Sequence, residues 1–152
     1  MQIDLKQNSK GAWFPYFGSK VEEGGGITYY PPEDPKDRVY INPPLAAEKL
    51  EEIYAQTRTR KSEFVVNPKT RQMERVSYID QTPDQARREF EMIFCEIIGD
   101  FELTDTDGER IACTPENKIQ LMRHQEFGRF VNRCLQLLDL SEAERKAALE
   151  KN

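Results

Sequence analysis

The chain has 152 residues, of which 38% are hydrophobic and 32% charged, a composition that suits one domain with a modest core. Its 27 acidic and 22 basic residues give a net charge of −5, which argues against a protein that binds nucleic acid over its whole surface. No window approaches the 18 apolar residues of a membrane span, and residues 1–10 are too polar for a secretory signal. We therefore expect a soluble, intracellular protein forming a single domain over residues 1–152, with loose ends at 1–10 and 141–152.

Aromatic residues dominate the first predicted strands. Residues 12–17 read Ala-Trp-Phe-Pro-Tyr-Phe and residues 27–30 read Ile-Thr-Tyr-Tyr, with three glycines at 24–26 between them. Aromatic side chains are typical of strands, so two such runs around a glycine-rich turn predict a hairpin. Residues 31–44 contain five prolines and predict an extended, exposed connection.

A short helix and a second hairpin follow. Apolar residues recur at helical spacing over residues 45–56, after a proline pair that a helix start tolerates. Phe64–Val66 and Arg75–Ile79 predict the arms of a hairpin, because Asn67 and Pro68 between them suit the first two positions of a type I turn.

The remaining chain is predicted to be mostly helical. Thr82-Pro83-Asp84-Gln85 is a capping box that opens a helix ending at Gly99. Residues 100–113 predict a loop or short hairpin around Asp107-Gly108. Thr114-Pro115-Glu116 opens the last long helix, and Ser141–Glu144 is another capping box before a charged terminal helix. This order favours an α+β fold, a small antiparallel sheet of two hairpins with three to four helices on one face.

Few residues suit catalysis. His124 is the only histidine, and its polar and charged neighbours favour a surface position on a helix. Cys95, Cys113 and Cys134 lack a CxxC spacing, so we expect free thiols in a reducing cytoplasm.

No pattern indicates a bound ion or phosphate. Asp105–Glu109 is similar to a calcium loop, but EF-hand positions 1 and 12 would fall on Leu103 and Thr114, where carboxylates are needed. The glycines at 24–26 lack the lysine and the helix of a phosphate loop. We therefore predict no catalytic residue, no metal site and no cofactor.

The aromatic cluster near the N-terminus is the main argument from the residues for a protein-binding role. Alternation along the strands accounts for about half of these side chains as core, and the others would face outward, where exposed aromatics suit contact with another protein. The cluster consists of Trp13, Phe14, Tyr16, Phe17, Tyr29 and Tyr30.

Charge is distributed unevenly along the chain. Residues 58–75 contain six basic and two acidic residues, a net charge of +4, whereas residues 80–117 contain eleven acidic residues and three arginines, a net charge of −8. Solvated surfaces explain both segments, and complementary faces that steer subunits or partners together are the sharper interpretation. The basic set is Arg58, Arg60, Lys61, Lys69, Arg71 and Arg75.

Three consecutive stretches then carry a family resemblance. Gly99–Leu103 is followed by Asp105–Glu109 and by Ile111–Asn117, which leads into the long helix. With these motifs, residues 82–140 resemble the tail assembly chaperones of long-tailed bacteriophages, in which an acidic, aromatic-containing Asp-Gly turn precedes a short apolar link and a Thr-Pro-Glu-Asn-like helix start. Phe101 stands where the pattern usually has a tryptophan, and the Gly- and Pro-rich N-terminal part departs from it.

The resemblance implies a non-catalytic protein that acts in the cytoplasm of a bacterial host. It would shield apolar helical segments of the tape-measure protein and help tail-tube subunits polymerise around them. Its contact positions would be the outward aromatics and part of the apolar face of the last helix, represented by Phe127 and Phe130. A related tail or head–tail component and self-association of the chain stay open.

Two other functions remain as alternatives. A small nucleic-acid-binding regulator would use the basic hairpin at residues 58–75, although the acidic balance of the chain disfavours it. An enzyme would need carboxylate or tyrosine chemistry without histidine or metal.

Overall fold

The structure is a computed structural model that describes residues 10–140 and 142–150. Its elements are α-helices and antiparallel strands, which confirms the α+β class. The described residues form two compact units, one made by residues up to Leu45 and from Phe94 onward, the other by Ala46–Ile93.

A three-stranded antiparallel sheet organises the first unit. Its strands are β1 (Ala12–Pro15), β4 (Arg38–Ile41) and β7 (Ile98–Glu102), in the order β1-β4-β7. Phe14 pairs with Val39, and Val39 pairs with Phe101. Because directly paired residues share a face of the sheet, these three buried side chains form one row across it.

The prediction of an exposed connection at residues 31–44 is wrong, because these residues include strand β4. The strand is central, and both Val39 and Ile41 are fully buried. The five prolines lie before and after Arg38–Ile41, so they bound the strand without interrupting its ladder.

The first hairpin also pairs differently from the prediction. Its arms are β2 (Gly18–Val21) and β3 (Ile27–Tyr30), whereas β1, predicted as its first arm, pairs with β4. The chain turns just after Pro15, which lacks the N–H that a continuing ladder would use, so residues 12–21 divide into two strands.

Three helices complete the first unit, namely α3 (Pro115–Met122), α4 (Gln125–Leu138) and α5 (Glu142–Glu150). Thr114 caps α3 as predicted, since its Oγ1 accepts a hydrogen bond from the N–H of Asn117 at 3.2 Å. The single long helix predicted here is wrong. The chain leaves helical geometry at His124, which has φ −87° and ψ 119° and precedes α4.

Helix α4 supplies most of the helical side of the core and contacts β2 and β4. Its buried residues follow helical spacing and are Phe127, Phe130, Val131, Cys134, Leu137 and Leu138. The predicted capping residue of α5, Ser141, lies outside the described residues.

The second unit contains α1 (Ala47–Thr57), the hairpin of β5 (Thr59–Val66) and β6 (Met73–Asp80), and most of α2 (Pro83–Ile97). The capping box of α2 is confirmed. The N–H of Gln85 donates to Thr82 Oγ1 at 3.1 Å, and the N–H of Thr82 donates to Gln85 Oε1 at 2.9 Å.

Gly99 does not end α2 as predicted. The helix ends at Ile97 and β7 begins at Ile98, so Gly99 is a strand residue. A Cβ at this position would lie 2.6 Å from Asn42 Oδ1 and 2.7 Å from Tyr40 Cδ1. Close approach of the neighbouring strand therefore explains the glycine.

Candidate protein-binding surface

The β5–β6 hairpin is the most exposed regular element among the described residues. Its eight cross-strand pairs run from Thr59 opposite Asp80 to Val66 opposite Met73. Every residue of β5 is exposed, as is every residue of β6 except Asp80. The sheet has only these two strands, a size that is marginally stable in water without further packing.

One face of this hairpin is apolar and basic. We call it the Phe64 face, and its eight residues, set by the pairing register, are Arg60, Ser62, Phe64, Val66, Met73, Arg75, Ser77 and Ile79. Its four apolar side chains are each more than half exposed, at 66% for Phe64, 61% for Val66, 66% for Met73 and 58% for Ile79. All eight residues are described by the structure, and none of them is acidic.

The opposite face is less apolar and its charges are mixed. We call it the Tyr78 face, and its residues are Thr59, Lys61, Glu63, Val65, Glu74, Val76, Tyr78 and Asp80. Its three apolar side chains are 38% to 41% exposed. Lys61 Nζ lies 2.8 Å from Asp80 Oδ2, and Asn67 Nδ2 donates to Glu74 Oε1 at 2.9 Å.

The tip of the hairpin adds two positive charges. The loop runs from residue 67 to 72. The N–H of Arg71 donates to the carbonyl of Asn67 at 2.7 Å, a bond that spans one residue more than that of the predicted type I turn. Asn67 Oδ1 also accepts from the N–H of Lys69 at 2.9 Å, a local bond that favours asparagine in turns. Arg71 has φ 60°, a left-handed conformation that is uncommon outside glycine.

At its base, the Phe64 face opens into a cleft of about 310 Å³ beside α1. Arg60 and Ile79, which pair across the hairpin, line the cleft together with Tyr54 and Ala55. Glu51 and Arg58 complete the lining. The apolar surface of the hairpin therefore continues onto the outer side of α1.

Arg58 is held by partners inside the second unit. Its Nε donates to Glu89 Oε1 at 2.6 Å, and its guanidinium lies 3.7 Å from the ring centroid of Tyr54. Glu89 also accepts from Thr57 Oγ1 at 3.1 Å and from Gln81 Nε2 at 3.2 Å. These hydrogen bonds hold the pKa of Glu89 below its usual range, and the bond from Arg58 has the largest effect.

The six basic residues of the nucleic-acid alternative are thus not equivalent. Arg58 and Lys61 are in ion pairs with Glu89 and Asp80. Arg60 and Arg75 share the Phe64 face, where Arg75 Nη2 donates to Ser62 Oγ at 3.2 Å. Lys69 and Arg71 lie in the tip loop.

Half of the predicted partner-binding aromatics are in the core. Phe14, Phe17, Phe127 and Phe130 are between 0% and 3% exposed, so their side chains do not form a contact surface. Tyr16 and Tyr29 are half-buried against this core. The pKa of Tyr16 is raised to about 12, mainly by burial and next by the nearby Glu126 carboxylate.

Trp13 and Tyr30 are the two members of that set on the surface, at 37% and 43% exposure. Trp13 already contacts Tyr40 edge-on, with ring centroids 5.5 Å apart. The guanidinium of Arg38 lies 4.1 Å from the centroid of its ring. These two aromatics belong to different sheets, Trp13 to that of β1 and Tyr30 to that of β3.

A second cleft, of about 520 Å³, lies in the first unit, and three of its charged groups, Arg38, Glu102 and Arg110, pair with each other. Arg38 donates to both carboxylate oxygens of Glu102, at 2.7 and 3.0 Å, and Arg110 lies 3.5 Å from the same carboxylate. The bond from Arg38 is the main reason that the pKa of Glu102 is lowered. This arrangement stabilises an ionised carboxylate and bridges β4 to β7.

The residues considered for metal or acid–base chemistry lie apart. His124 is exposed at the start of α4. Asp105 accepts from the N–H groups of Asp107 and Glu109, both at 2.9 Å, so its carboxylate stabilises the turn. Across the residues that the structure describes, no group of three or more His, Cys, Asp or Glu side chains is placed to hold a metal ion.

Comparisons place no known protein beside this chain: no family model, curated protein or solved structure matches it. Within the described ranges, none of the helices has the length and apolar character needed to span a membrane.

The sequence contained a signal for the Phe64 face. Residues 60, 62, 64 and 66 read Arg, Ser, Phe, Val, and the intervening residues 61, 63 and 65 read Lys, Glu, Val. Side chains two positions apart lie on one side of a strand, so the predicted hairpin arm already places Phe64 and Val66 on the same face. The sequence does not show which face stays exposed, because residues 64–66 are all apolar.

Proposed function

We propose that this protein is a non-catalytic assembly factor that binds another protein through the Phe64 face. The observation that carries the proposal is the set of four apolar side chains, all more than half exposed, on a two-stranded hairpin. Full burial of such a side chain is worth about 1.5–3 kcal/mol. A partner that covers the face gains this energy and removes a surface prone to aggregation.

The particular function we propose is that of a tail assembly chaperone of a long-tailed bacteriophage, or of a related tail morphogenesis protein. Support comes from the resemblance carried by Gly99–Leu103, Asp105–Glu109 and Ile111–Asn117. The partners would be apolar helical segments of the tape-measure protein and the tail-tube subunits, met in the cytoplasm of the bacterial host. A surface that binds apolar segments fits this role because such segments need cover until the tail assembles.

Co-expression with the tape-measure and tail-tube proteins of the same genome tests the proposal. The wild-type chain should co-purify with at least one of them at micromolar concentration. The variant F64S/M73S should lose the association, whereas the matched variant V65S/V76S on the Tyr78 face should keep it. Failure of the wild-type chain to associate with either protein would count against a tail chaperone.

A nucleic-acid-binding regulator is the second candidate, favoured by the gathering of Arg60 and Arg75 on one face with Lys69 and Arg71 at the tip. It predicts an affinity that falls steeply as salt increases, because phosphate contacts release counterions. A gel-shift with single- and double-stranded DNA at low salt tests it. The absence of a shift there would remove this candidate.

A further inference from the structure

We infer that the Phe64 face binds one acidic amphipathic α-helix of the partner protein. The inference rests on the proposed protein-binding function and specifies the chemistry and shape of the bound segment. Three properties of the described hairpin carry it, namely its width and length, the position of its apolar side chains, and its charge.

The dimensions of the face match a single helix. Two strands lie about 4.8 Å apart, so the two-stranded sheet is roughly 10 Å wide, close to the ~10–12 Å diameter of an α-helix with its side chains. Strands of eight residues are about 26 Å long. About 17 helical residues, at about 1.5 Å each, cover that length.

The apolar side chains lie on the face rather than along an edge. An added β-strand would pair with the backbone at the outer edge of β5 or β6 and would leave Phe64 and Met73 exposed above the sheet. A helix lying across the face contacts both. Val66 and Met73 are a direct cross-strand pair near the tip, and Ile79 continues the surface to the cleft beside Tyr54.

The charge of the surface selects an acidic helix. Arg60 and Arg75 are the charged residues of the Phe64 face, and Lys69 and Arg71 lie beyond it in the tip loop. Glu51 provides the one carboxylate that lines the cleft at the base. The positive charge of Arg58 in the same cleft is already in an ion pair with Glu89. Opposite charges across an interface guide register and partner choice, so acidic residues should be concentrated toward the end of the helix that meets the tip.

The same features disfavour two other occupants. A second copy docked face to face would bring Arg60 and Arg75 of both copies together without a carboxylate from either Phe64 face, and like charges in contact are costly. Single-stranded nucleic acid binds on stacked aromatic rings, but Phe64 is the one ring of this face, beside Val66, Met73 and Ile79.

Binding of defined helical peptides to the full chain tests the inference. The first probe is a fluorescein-labelled peptide of about 18 residues with leucines at i, i+3, i+4 and i+7 spacing and glutamates elsewhere. The second replaces every glutamate with lysine. In fluorescence anisotropy, the acidic peptide should bind about tenfold more tightly or better, a difference of about 1.4 kcal/mol.

Two variants assign the binding to the Phe64 face. R60E/R75E should reverse the preference, so that the lysine peptide binds more tightly than the glutamate peptide. F64S/M73S should weaken both peptides, while V65S/V76S on the Tyr78 face should leave the affinities unchanged. Reversal by charge exchange cannot come from unfolding, because an unfolded hairpin would lose both peptides.

The outcomes separate this inference from the proposed function. If the wild-type chain co-purifies with its partner but binds neither peptide, or binds both equally, the acidic-helix inference fails and the protein-binding function stands. Dimerisation that depends on Phe64 in light scattering, or displacement of the acidic peptide by single-stranded DNA, would also overturn the inference. If neither peptide nor partner protein binds, both ideas fail.

Discussion

Glu89 is the residue at which the polar contacts of the second unit converge. Its carboxylate accepts hydrogen bonds from Arg58, Thr57 and Gln81. Thr57 is fully buried, and its one hydroxyl proton is shared between this carboxylate and the carbonyl of Ile53. The carboxylate of Glu89 on α2 is therefore linked to Thr57 of α1, and its removal affects two hydrogen bonds from neutral groups as well as the ion pair with Arg58.

Stability should depend on the ionisation of Glu89. The folded protein lowers the pKa of this group below its ordinary value of 4.5, so its contribution is complete above that pH and is lost as pH falls through the lowered value. At pH 7, E89Q should unfold at a lower temperature than the wild type. Thermal unfolding over a series of pH values should show this difference shrinking below pH 4.5.

The exposed carboxylate of Glu63 provides the control. E63Q should change the unfolding temperature little at any pH, because charged groups exposed to solvent contribute little to stability. An E89Q deficit that stayed constant into the acidic range would mean that shape, rather than charge, is what Glu89 supplies.

Two glycines of the first unit should respond oppositely to alanine. At Gly99 a methyl group would meet Tyr40 and Asn42, and Asn42 is itself held by a hydrogen bond to the carbonyl of Glu96 at 2.8 Å. We expect G99A to lose about 1–3 kcal/mol through overpacking. At Gly128, inside α4, no atom beyond its chain neighbours and the backbone of its own helix lies within 4 Å of the added carbon, so G128A should gain about 0.4–1 kcal/mol. Urea unfolding measures both, and equal effects would contradict the close approach at Gly99.

At the scale of elements, helix starts with a capping threonine were the features that the sequence predicted most reliably. Thr82 and Thr114 each begin a helix one residue later, as predicted, because capping depends on side chains within three positions. Strand pairing was less predictable. Nothing local to Arg38–Ile41 indicates that it lies between β1 and β7, since that position depends on residues about 25 and 60 positions away in the chain.

The break between α3 and α4 was also not predictable from the local sequence. Residues 115–138 have a helical pattern throughout, and periodicity alone does not reveal that the N–H of His124 bonds to Leu121 in a tighter turn. The two helices α3 and α4 therefore need separate starting positions. Thr114 provides the one for α3.

Removing the cap of α3 should cost about 1 kcal/mol. In T114A the N–H of Asn117 loses the acceptor that lies 3.2 Å away, whereas T114S retains an oxygen in the same place and should stay within a few tenths of a kcal/mol of wild type. Urea unfolding of the three proteins checks the order. A T114S variant as unstable as T114A would show that the methyl group, not the hydroxyl, is what matters.

At the scale of the whole molecule, the sequence predicted the β5–β6 hairpin but not which face of it remains uncovered. About half of the aromatics at 13–30 were expected to face outward, and the structure places Phe14 and Phe17 in the core because β1 pairs with the buried strand β4 and α4 contacts β2. Phe64 and Val66 were predicted only as part of a hairpin arm, and both are exposed, as is Met73 on the partner strand. Exposure depends on what the rest of the fold covers, and no local pattern carries that information.

The two hairpins of the chain offer a matched comparison of this effect. The β2–β3 hairpin is held by α4. Ser19 is buried, its N–H donates to Glu126 Oε1 at 3.3 Å, and its hydroxyl accepts from Arg129 Nε at 2.9 Å. The β5–β6 hairpin has longer strands, yet its residues are almost all exposed. Strand length and tertiary cover thus act in opposite directions on their stability.

Hydrogen exchange should show that packing against the rest of the fold stabilises a hairpin more than the length of its strands does. In the free protein, amides of Thr59–Val66 and Met73–Asp80 should exchange faster than those of Gly18–Val21 and Ile27–Tyr30, because local opening is easiest where few apolar side chains are buried. Arg38–Ile41, central in its sheet, should be slowest. Adding the partner, or the acidic peptide, should slow exchange in β5 and β6 selectively. If β5 and β6 were as protected as β4 in the free monomer, their apolar side chains would already be covered, and the Phe64 face would not be available for binding.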